Sequence, residues 1–133
     1  MSSLRPAISV PAVLDATAQM WSPKLIASIN GEYEMKVAKM QGSFVMHAHH
    51  TTDELFYVIF GTLRIELEGV EQKEVVLKPG DVFVVPRGVR HKPIVDEGLV
   101  EVMLLEKTGV INTGDAQGAD AESLTNAVED VRR

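Results

Sequence analysis

The chain has 133 residues, 45% of them apolar and 24% charged, with a net charge of −6 at neutral pH. This acidic balance argues against nucleic acid or an anionic membrane surface as a partner, and we predict neither. The chain contains no cysteine, which excludes disulfides and thiolate metal sites. No apolar run approaches the roughly 20 residues that a membrane-spanning helix needs.

The N-terminal stretch resembles a signal peptide only superficially. Its apolar segment contains Pro6, Ser9 and Pro11, and Asp15 stands just before the small residues that would mark a cleavage site. We therefore expect residues 1–23 to form an extended arm, with a possible short helix over residues 12–20. We also expect the protein to reside in the cytoplasm.

Residues 24–107 show the pattern of a β-protein. Asn30-Gly31 is a favoured pair for a type I′ turn and predicts a hairpin, because both residues readily take positive φ. Leu63, Ile65 and Leu67 alternate with charged residues, as expected for a half-buried antiparallel strand. Short strands at this spacing predict an all-β antiparallel barrel or jelly-roll sandwich. The predicted strands cover residues 24–29, 32–40, 44–49, 54–60, 63–68, 71–77, 81–85, 89–95 and 99–107.

Proline and glycine place two of the connecting turns. Lys78-Pro79-Gly80-Asp81 fits a type II turn, and Val85-Pro86-Arg87-Gly88 fits a type I turn. The strand between these turns is apolar and is expected to be buried. Residues 108–133 are expected to form a tail, irregular at first and then either helical over residues 121–131 or laid across the barrel.

The chemistry of the chain is concentrated between residues 42 and 61. On an extended strand, His47 and His49 leave from the same face. Glu54 opens the next strand, and His91 is the candidate fourth partner. Two imidazoles and a carboxylate at a strand–turn–strand junction can converge on one divalent cation.

Strand alternation extends this prediction to the lining of the site. Val45 is expected to face inward with the two histidines, whereas Phe44, Met46 and Ala48 face away. In the strand that Glu54 opens, the expected inward residues are Phe56, Val58 and Phe60. In the strand that contains His91, they are Pro93 and Val95.

These residues carry a resemblance to the cupin superfamily. The spacing of His47, His49, Glu54 and Gly61 is similar to the first cupin motif, and that of Gly80, Pro86, Gly88 and His91 is similar to the second. The chain departs from the pattern in two places, since four rather than five residues separate Gly42 from the first histidine, and Val95 stands where asparagine is usual. Neither departure removes a ligand.

The resemblance implies a cupin barrel over residues 24–107, a homodimer, and one divalent metal ion per chain. The implied ligands are His47, His49, Glu54 and His91. Three neutral imidazoles and one carboxylate suit iron, manganese, zinc, nickel or copper.

Two functions remain open from the sequence. The leading hypothesis is a metal-dependent enzyme that oxygenates or isomerises a small polar compound with a carbonyl, enol or carboxylate group. The alternative is a non-catalytic module that binds a metal or a small ligand. An apolar pocket with no acid or base beyond the ligands would favour the alternative.

Four further residues are candidates for binding a substrate. Phe56 and Val58 belong to the predicted inner face, and Arg87 and Arg90 lie in the turn before His91. On the opposite face, Leu55, Tyr57 and Ile59 form an apolar stripe. We expect the N-terminal arm or a second subunit to cover that stripe.

Overall fold

A computed structural model describes residues 4–132 and places them in a mainly antiparallel β-structure with two short helices. Neither helix of this described part is long and apolar enough to cross a membrane. In chain order the elements are α1 (Val10–Ala16), β1 (Lys24–Ile29), β2 (Tyr33–Ser43), β3 (Glu54–Phe60), β4 (Leu63–Glu68), β5 (Glu74–Leu77), β6 (Val82–Val85), β7 (Arg90–Lys107), α2 (Ala119–Leu124) and β8 (Glu129–Asp130).

Strand β7 organises the fold because it pairs with three other strands. Its first half is antiparallel to β4, its second half is antiparallel to β3, and β2 follows it from Lys107 to Ile94. The neighbouring strands run in the order β5-β4-β7-β2-β1-β8, and β6 pairs with β3. The result is a jelly-roll, which confirms the predicted all-β class.

The expectation of two separate strands around residues 96–98 was wrong. Strand β7 runs through this acidic stretch, with Gly98 at φ 70°. On the neighbouring strand β2, Met40 pairs with Val100 and Gly42 pairs with Val95. Several residues of β7 therefore lie opposite the single residue Gln41. The extra residues bulge outward instead of ending the strand.

The Asn30-Gly31 turn is confirmed. The two residues have φ values of 57° and 65°, and the N–H of Glu32 donates to the carbonyl of Ile29 at 3.1 Å. The following strand β2 ends at Ser43, however, and the predicted strand over residues 44–49 is absent. In that segment only His47 makes a bridge, to His91.

The turn predicted at residues 85–88 lies one residue later. The N–H of Val89 donates to the carbonyl of Pro86 at 3.1 Å, and Gly88 takes a φ of 81°. Glycine therefore occupies the third position, where a type II turn requires positive φ. Strand β6 before this turn is also less buried than expected, since Val82 and Val84 are exposed.

The main core fills the interior of the jelly-roll. Phe56 and Val58 are buried as predicted, but Phe60 is 55% exposed. A register shift between Val58 and Phe60 reverses the alternation at this point. The buried members of this core are Trp21, Ala38, Met40, Phe44, Phe56, Val58, Leu63, Ile65, Leu67, Leu77, Val85, Val95, Val100, Val102 and Leu104.

Helix α1 builds a second, smaller core on the outer face of the sheet. Its Leu14 packs with Ile26 and Val37, and Ile59 packs against this cluster. Burying a side chain such as Leu14 stabilises the fold by about 1.5–3 kcal/mol. The N-terminal segment thus covers part of the predicted apolar stripe, whereas Tyr57 stays partly exposed.

The boundaries of α1 differ from the expected 12–20. The helix begins earlier because the Ser9 hydroxyl caps it, accepting a bond from the N–H of Ala12 at 3.2 Å. Pro11 is accommodated in the first turn, where no intrahelical N–H is needed. The helix ends at Ala16, because Thr17 is already extended.

Candidate metal centre

Four side chains converge at one end of the jelly-roll interior. The ligand atoms of His47, His49, Glu54 and His91 all lie within 4.8 Å of one another. Each side chain is buried, with an exposed fraction of 1–6%. The two segments that the sequence analysis combined are therefore brought together in space.

Backbone pairing joins the two histidine segments directly. The N–H of His47 donates to the carbonyl of His91 at 3.0 Å, and the N–H of His91 donates to the carbonyl of His47 at 2.8 Å. This reciprocal pair is the only bridge outside the named strands within the part of the chain that the structure describes. It sets the two imidazoles side by side, with ring centroids 4.2 Å apart.

Hydrogen bonds to backbone carbonyls favour one tautomer of two of the histidines. His47 Nδ1 lies 2.9 Å from the carbonyl oxygen of Val45, and His91 Nδ1 lies 3.0 Å from that of Val89. A carbonyl only accepts, so each Nδ1 carries the proton and each Nε2 presents a lone pair. This orientation is the one that metal-binding histidines usually have.

Lone pairs then face one another inside the cluster. His91 Nε2 lies 3.1 Å from Glu54 Oε1, and His49 Nε2 lies 3.4 Å from the same oxygen. The buried Nε2 of His49 has no hydrogen bond of acceptable geometry. A proton could bridge one of these contacts, whereas a cation could satisfy all four ligands at once. The donor set fits a divalent transition metal.

The pKa values of the cluster follow from burial and from its own charges. Burial and the neighbouring His91 lower the pKa of His47 to about 4, so this imidazole is neutral at physiological pH. Burial alone would raise the pKa of Glu54, but His49 and His91 hold it well below its usual range. His47 and Glu54 are thus already in the deprotonated forms that bind metals.

The C-terminal tail supports the histidine segment, a role that the sequence analysis did not identify. Asp115 Oδ1 accepts from the N–H of Ala48 at 2.7 Å, and its Oδ2 lies 2.8 Å from His50 Nε2. Gly114, at φ 53°, packs so closely that a Cβ would meet the carbonyl of Ala48 and the rings of His47 and His49. The tail therefore fixes a segment that has no regular strand partner.

A cavity of about 30 Å³ opens beside the cluster. Its wall includes the indole of Trp21 stacked on Phe44, with ring centroids 4.6 Å apart. Phe44 thus lines the interior, contrary to the predicted alternation, because the chain leaves the strand conformation after Ser43. The lining residues are Trp21, Pro23, Lys36, Ala38, Met40, Phe44, His47, Glu54, Phe56, Pro93, Leu104, Glu106, Val110 and Asn112.

Lys36 and Glu106 are two charged residues of this wall that the sequence analysis missed. Both are almost fully buried, and Lys36 Nζ lies 3.1 Å from Glu106 Oε1. Burial and the negative charge of Glu54 raise the pKa of Glu106 to about 9. The available signal was their position in the strand alternation. Lys36 shares a face with Ala38 and Met40, and Glu106 shares a face with Leu104 and Val102.

The predicted substrate-binding residues lie in different environments. Phe56 lines the cavity, and Val58 is buried in the main core. Arg87 is mostly exposed, with Nε 3.6 Å from Asp53, and Arg90 is half-exposed and bonded to Glu68 at 2.8 Å. A substrate role for any of the four stays a prediction.

These features define a small jelly-roll protein with a buried three-histidine, one-glutamate cluster that could bind a metal. Residues 33–106 match the model of the cupin domain family, so the chain belongs to that family. This confirms the resemblance on which the ligand set was predicted.

Individual relatives agree with this assignment. The uncharacterized protein YdbB of Bacillus subtilis is 31% identical over 67 residues, which are 50% of this chain and 57% of that protein. A cupin-2 domain containing protein of Shewanella frigidimarina has a similar structure, with a TM-score of 0.69 and 37% identity over 75% of this chain and 93% of its own. Hydroquinone 1,2-dioxygenase from Sphingomonas, solved with 4-hydroxybenzoate bound, shares only the fold. Its identity is 16% and its TM-score 0.59, over 71% of this chain and 70% of its own.

Proposed function

We propose that this protein is a metal-dependent cupin enzyme that oxygenates or isomerises a small compound with a carbonyl, enol or carboxylate group. The observation that carries the proposal is the cluster of four buried ligand atoms within 4.8 Å, next to a cavity. His47, His49, Glu54 and His91 would hold one iron, manganese, zinc, nickel or copper ion. A bound divalent ion polarises a carbonyl oxygen or acidifies a water.

The groups around the cluster support the binding of a metal ion and of a small compound. The carbonyls of Val45 and Val89 orient two imidazoles, and the tail holds the segment of the other. Phe56, Phe44 and Leu104 give the cavity a largely apolar lining. In such an apolar environment, electrostatic interactions between ligand and protein are stronger than in bulk water.

The wall also supports an enzyme over a passive binding module. A binder was the expected function if the pocket held no acid or base beyond the ligands. Lys36 and Glu106 line the cavity and do not belong to the ligand set. Glu106 in particular has an oxygen, Oε2, that accepts no hydrogen bond from a described residue, and this carboxyl group could accept or donate a proton.

The test is metal analysis of the purified protein, followed by a screen of small carbonyl, enol and carboxylate compounds with the metal found. We expect about one divalent ion per chain and turnover of at least one class. Consumption of dioxygen would identify oxygenation, and conversion without it would identify isomerisation. No metal after reconstitution with all five candidate ions would refute the metal centre, and binding without turnover would favour the module.

We further propose a cytoplasmic homodimer. Strand β6 pairs only with β3, and its Val82 and Val84 are exposed beside the partly exposed Tyr57. An apolar edge of this kind is a liability in a monomer, and a second copy of the chain is the simplest cover. Light scattering at micromolar concentration should give twice the monomer mass, and a monomer mass would contradict the proposal.

A further inference from the structure

Lys36 and Glu106 lie in the interior although charged side chains are rarely fully buried. The register explains how they come together. Glu34 pairs with Glu106 and Lys36 pairs with Leu104 across β2 and β7, so all four side chains share the inner face. Lys36 is 1% and Glu106 3% exposed, and the ammonium lies 3.1 Å from one carboxylate oxygen.

The pair lies close to the candidate metal ligands. Leu55 of β3 pairs with Leu105 of β7, and Glu54 and Glu106 are one residue beyond this pair on either strand. Cross-strand neighbours of this kind have Cβ atoms about 4.5–5.5 Å apart. Both carboxylates line the same cavity.

Lys36 and Glu106 do not satisfy each other's capacity for hydrogen bonds. Glu106 Oε2 is buried and accepts no hydrogen bond from a described residue, although the carboxyl groups of Glu106 and Glu54 are within hydrogen-bond reach of each other. Lys36 offers three N–H donors, and its one hydrogen bond to a described residue is to Glu106. The second nearby carboxylate oxygen, from Glu34, is 3.7 Å away. An unpaired buried polar atom destabilises the protein, so a ligand that bonds to it gains affinity.

We propose that Lys36 and Glu106 recognise a hydroxyl group of the ligand. This hydroxyl is adjacent to the ligand oxygen that binds at the four-residue cluster. The ligand class is then a small 2-hydroxycarbonyl compound or its enediol form. This inference rests on the proposed function, because it assigns the cluster to the neighbouring oxygen.

A hydroxyl is the group that fits both members of the pair. It accepts a bond from the Lys36 ammonium and donates one to a Glu106 carboxylate, and it can also accept from a protonated Glu106. A carboxylate at this position would face the negative charge of Glu54, and an ammonium would face Lys36. The small cavity, which holds about two waters, also limits the enclosed part of the ligand to a few atoms.

The test uses Trp21, the single tryptophan of the chain, which lines the cavity. Its fluorescence is followed while the full-length protein is titrated with hydroxyacetone or with butanone, which has a methyl group in place of the hydroxyl. We expect wild-type protein to bind hydroxyacetone about tenfold more tightly, the factor that one recovered hydrogen bond supplies. The measurement is made with and without zinc, so it does not depend on turnover.

The decisive variant is Lys36→Met/Glu106→Leu, which removes both polar groups together and leaves neither without its partner. Replacing a buried ion pair by apolar residues of similar size is often neutral for stability. We expect this variant to fold, to keep its metal content, and to bind the two probes equally. Its matched control is Lys24→Met/Glu129→Leu, which removes a partly exposed pair at 2.7 Å and should keep the tenfold preference.

Two results would overturn the inference. One is equal binding of the two probes by wild-type protein, and the other is an unchanged preference in a folded Lys36→Met/Glu106→Leu variant. If the double variant does not fold, Lys36→Met, which removes the ammonium donor and keeps the Glu106 carboxyl, is used with the same criterion. Failure to bind metal would instead refute the proposed function, because the preference for the hydroxyl is measured in the metal-free protein as well.

Discussion

The two ends of the jelly-roll interior are built from the same strands but differ in composition. At one end, β2, β3 and β7 present Lys36, Glu54 and Glu106 to the cavity, and His91 lies near the start of β7, directly after Arg90. At the other end, the same strands and β4 bury only apolar side chains, among them Val58, Leu63, Val100 and Val102.

The difference in composition indicates that the two ends contribute differently to binding and to stability. Apolar burial is the dominant favourable contribution to folding. Clustered polar groups in a dry interior contribute little net stability, because desolvation offsets their attraction. We therefore expect changes at the polar end to alter binding and changes at the apolar end to alter stability. The predictions below test that separation, from the largest expected effect to the smallest.

The largest effect is expected for His91→Ala. Losing a ligand should weaken zinc binding by at least about 100-fold, since even residues that only support ligands contribute about 10- to 100-fold. The unfolding free energy of the metal-free protein should change little, because the variant also removes the His91 Nε2 lone pair that faces Glu54 Oε1. Zinc affinity is measured by competition with a chelator, and stability by urea denaturation. Lys78→Ala, at an exposed residue of the turn after β5, is the control. Unchanged affinity in folded His91→Ala would mean that the site is misplaced.

Leu63→Ala tests the apolar end. Leu63 is fully buried, and its truncation should lower the free energy of unfolding by about 2–5 kcal/mol. Zinc affinity of the folded variant should equal that of wild type. Leu4→Ala, at a fully exposed leucine, should change neither quantity. If Leu63→Ala lowered the free energy of zinc binding by as much as it lowers the free energy of unfolding, the two ends would not act separately in binding and stability.

Acid should destabilise the metal-free protein through His47. Its pKa is about 4 in the folded chain and about 6.5 when unfolded, so between these values the unfolded state binds more protons. Stability therefore falls as pH falls from 6.5 to 4, by about 3 kcal/mol for this group. Urea denaturation at several pH values measures the slope. His47→Gln should have a shallower slope, and identical slopes for the two proteins would contradict the assignment.

The smallest effect is expected for Asp115→Ala. This change removes the bond from the N–H of Ala48 and the contact with His50, and so loosens the segment that carries two ligands. We expect zinc affinity to fall several-fold, corresponding to about 1 kcal/mol for a lost hydrogen bond. Asp120→Ala, at an exposed residue of α2, is the matched control. Equal affinities in both variants would show that the tail does not support the site.

The sequence by itself determined the fold class, the hairpin at Asn30-Gly31 and the residues that form the ligand cluster. These features depend on local chemistry. A glycine accepts positive φ, and apolar residues alternate along a strand. The resemblance to the two cupin motifs then combined His91 with the earlier three residues.

Only the tertiary structure decided how the cluster is held and what surrounds it. The bridge between His47 and His91, the support from Asp115, and the approach of Lys36 to Glu106 join residues that are 44, 67 and 70 positions apart. Alternation also failed where the backbone departs from regular strands, at the register shift before Phe60 and beyond Ser43. Register and long-range pairing depend on the packing of the whole sheet, so no local pattern specifies them.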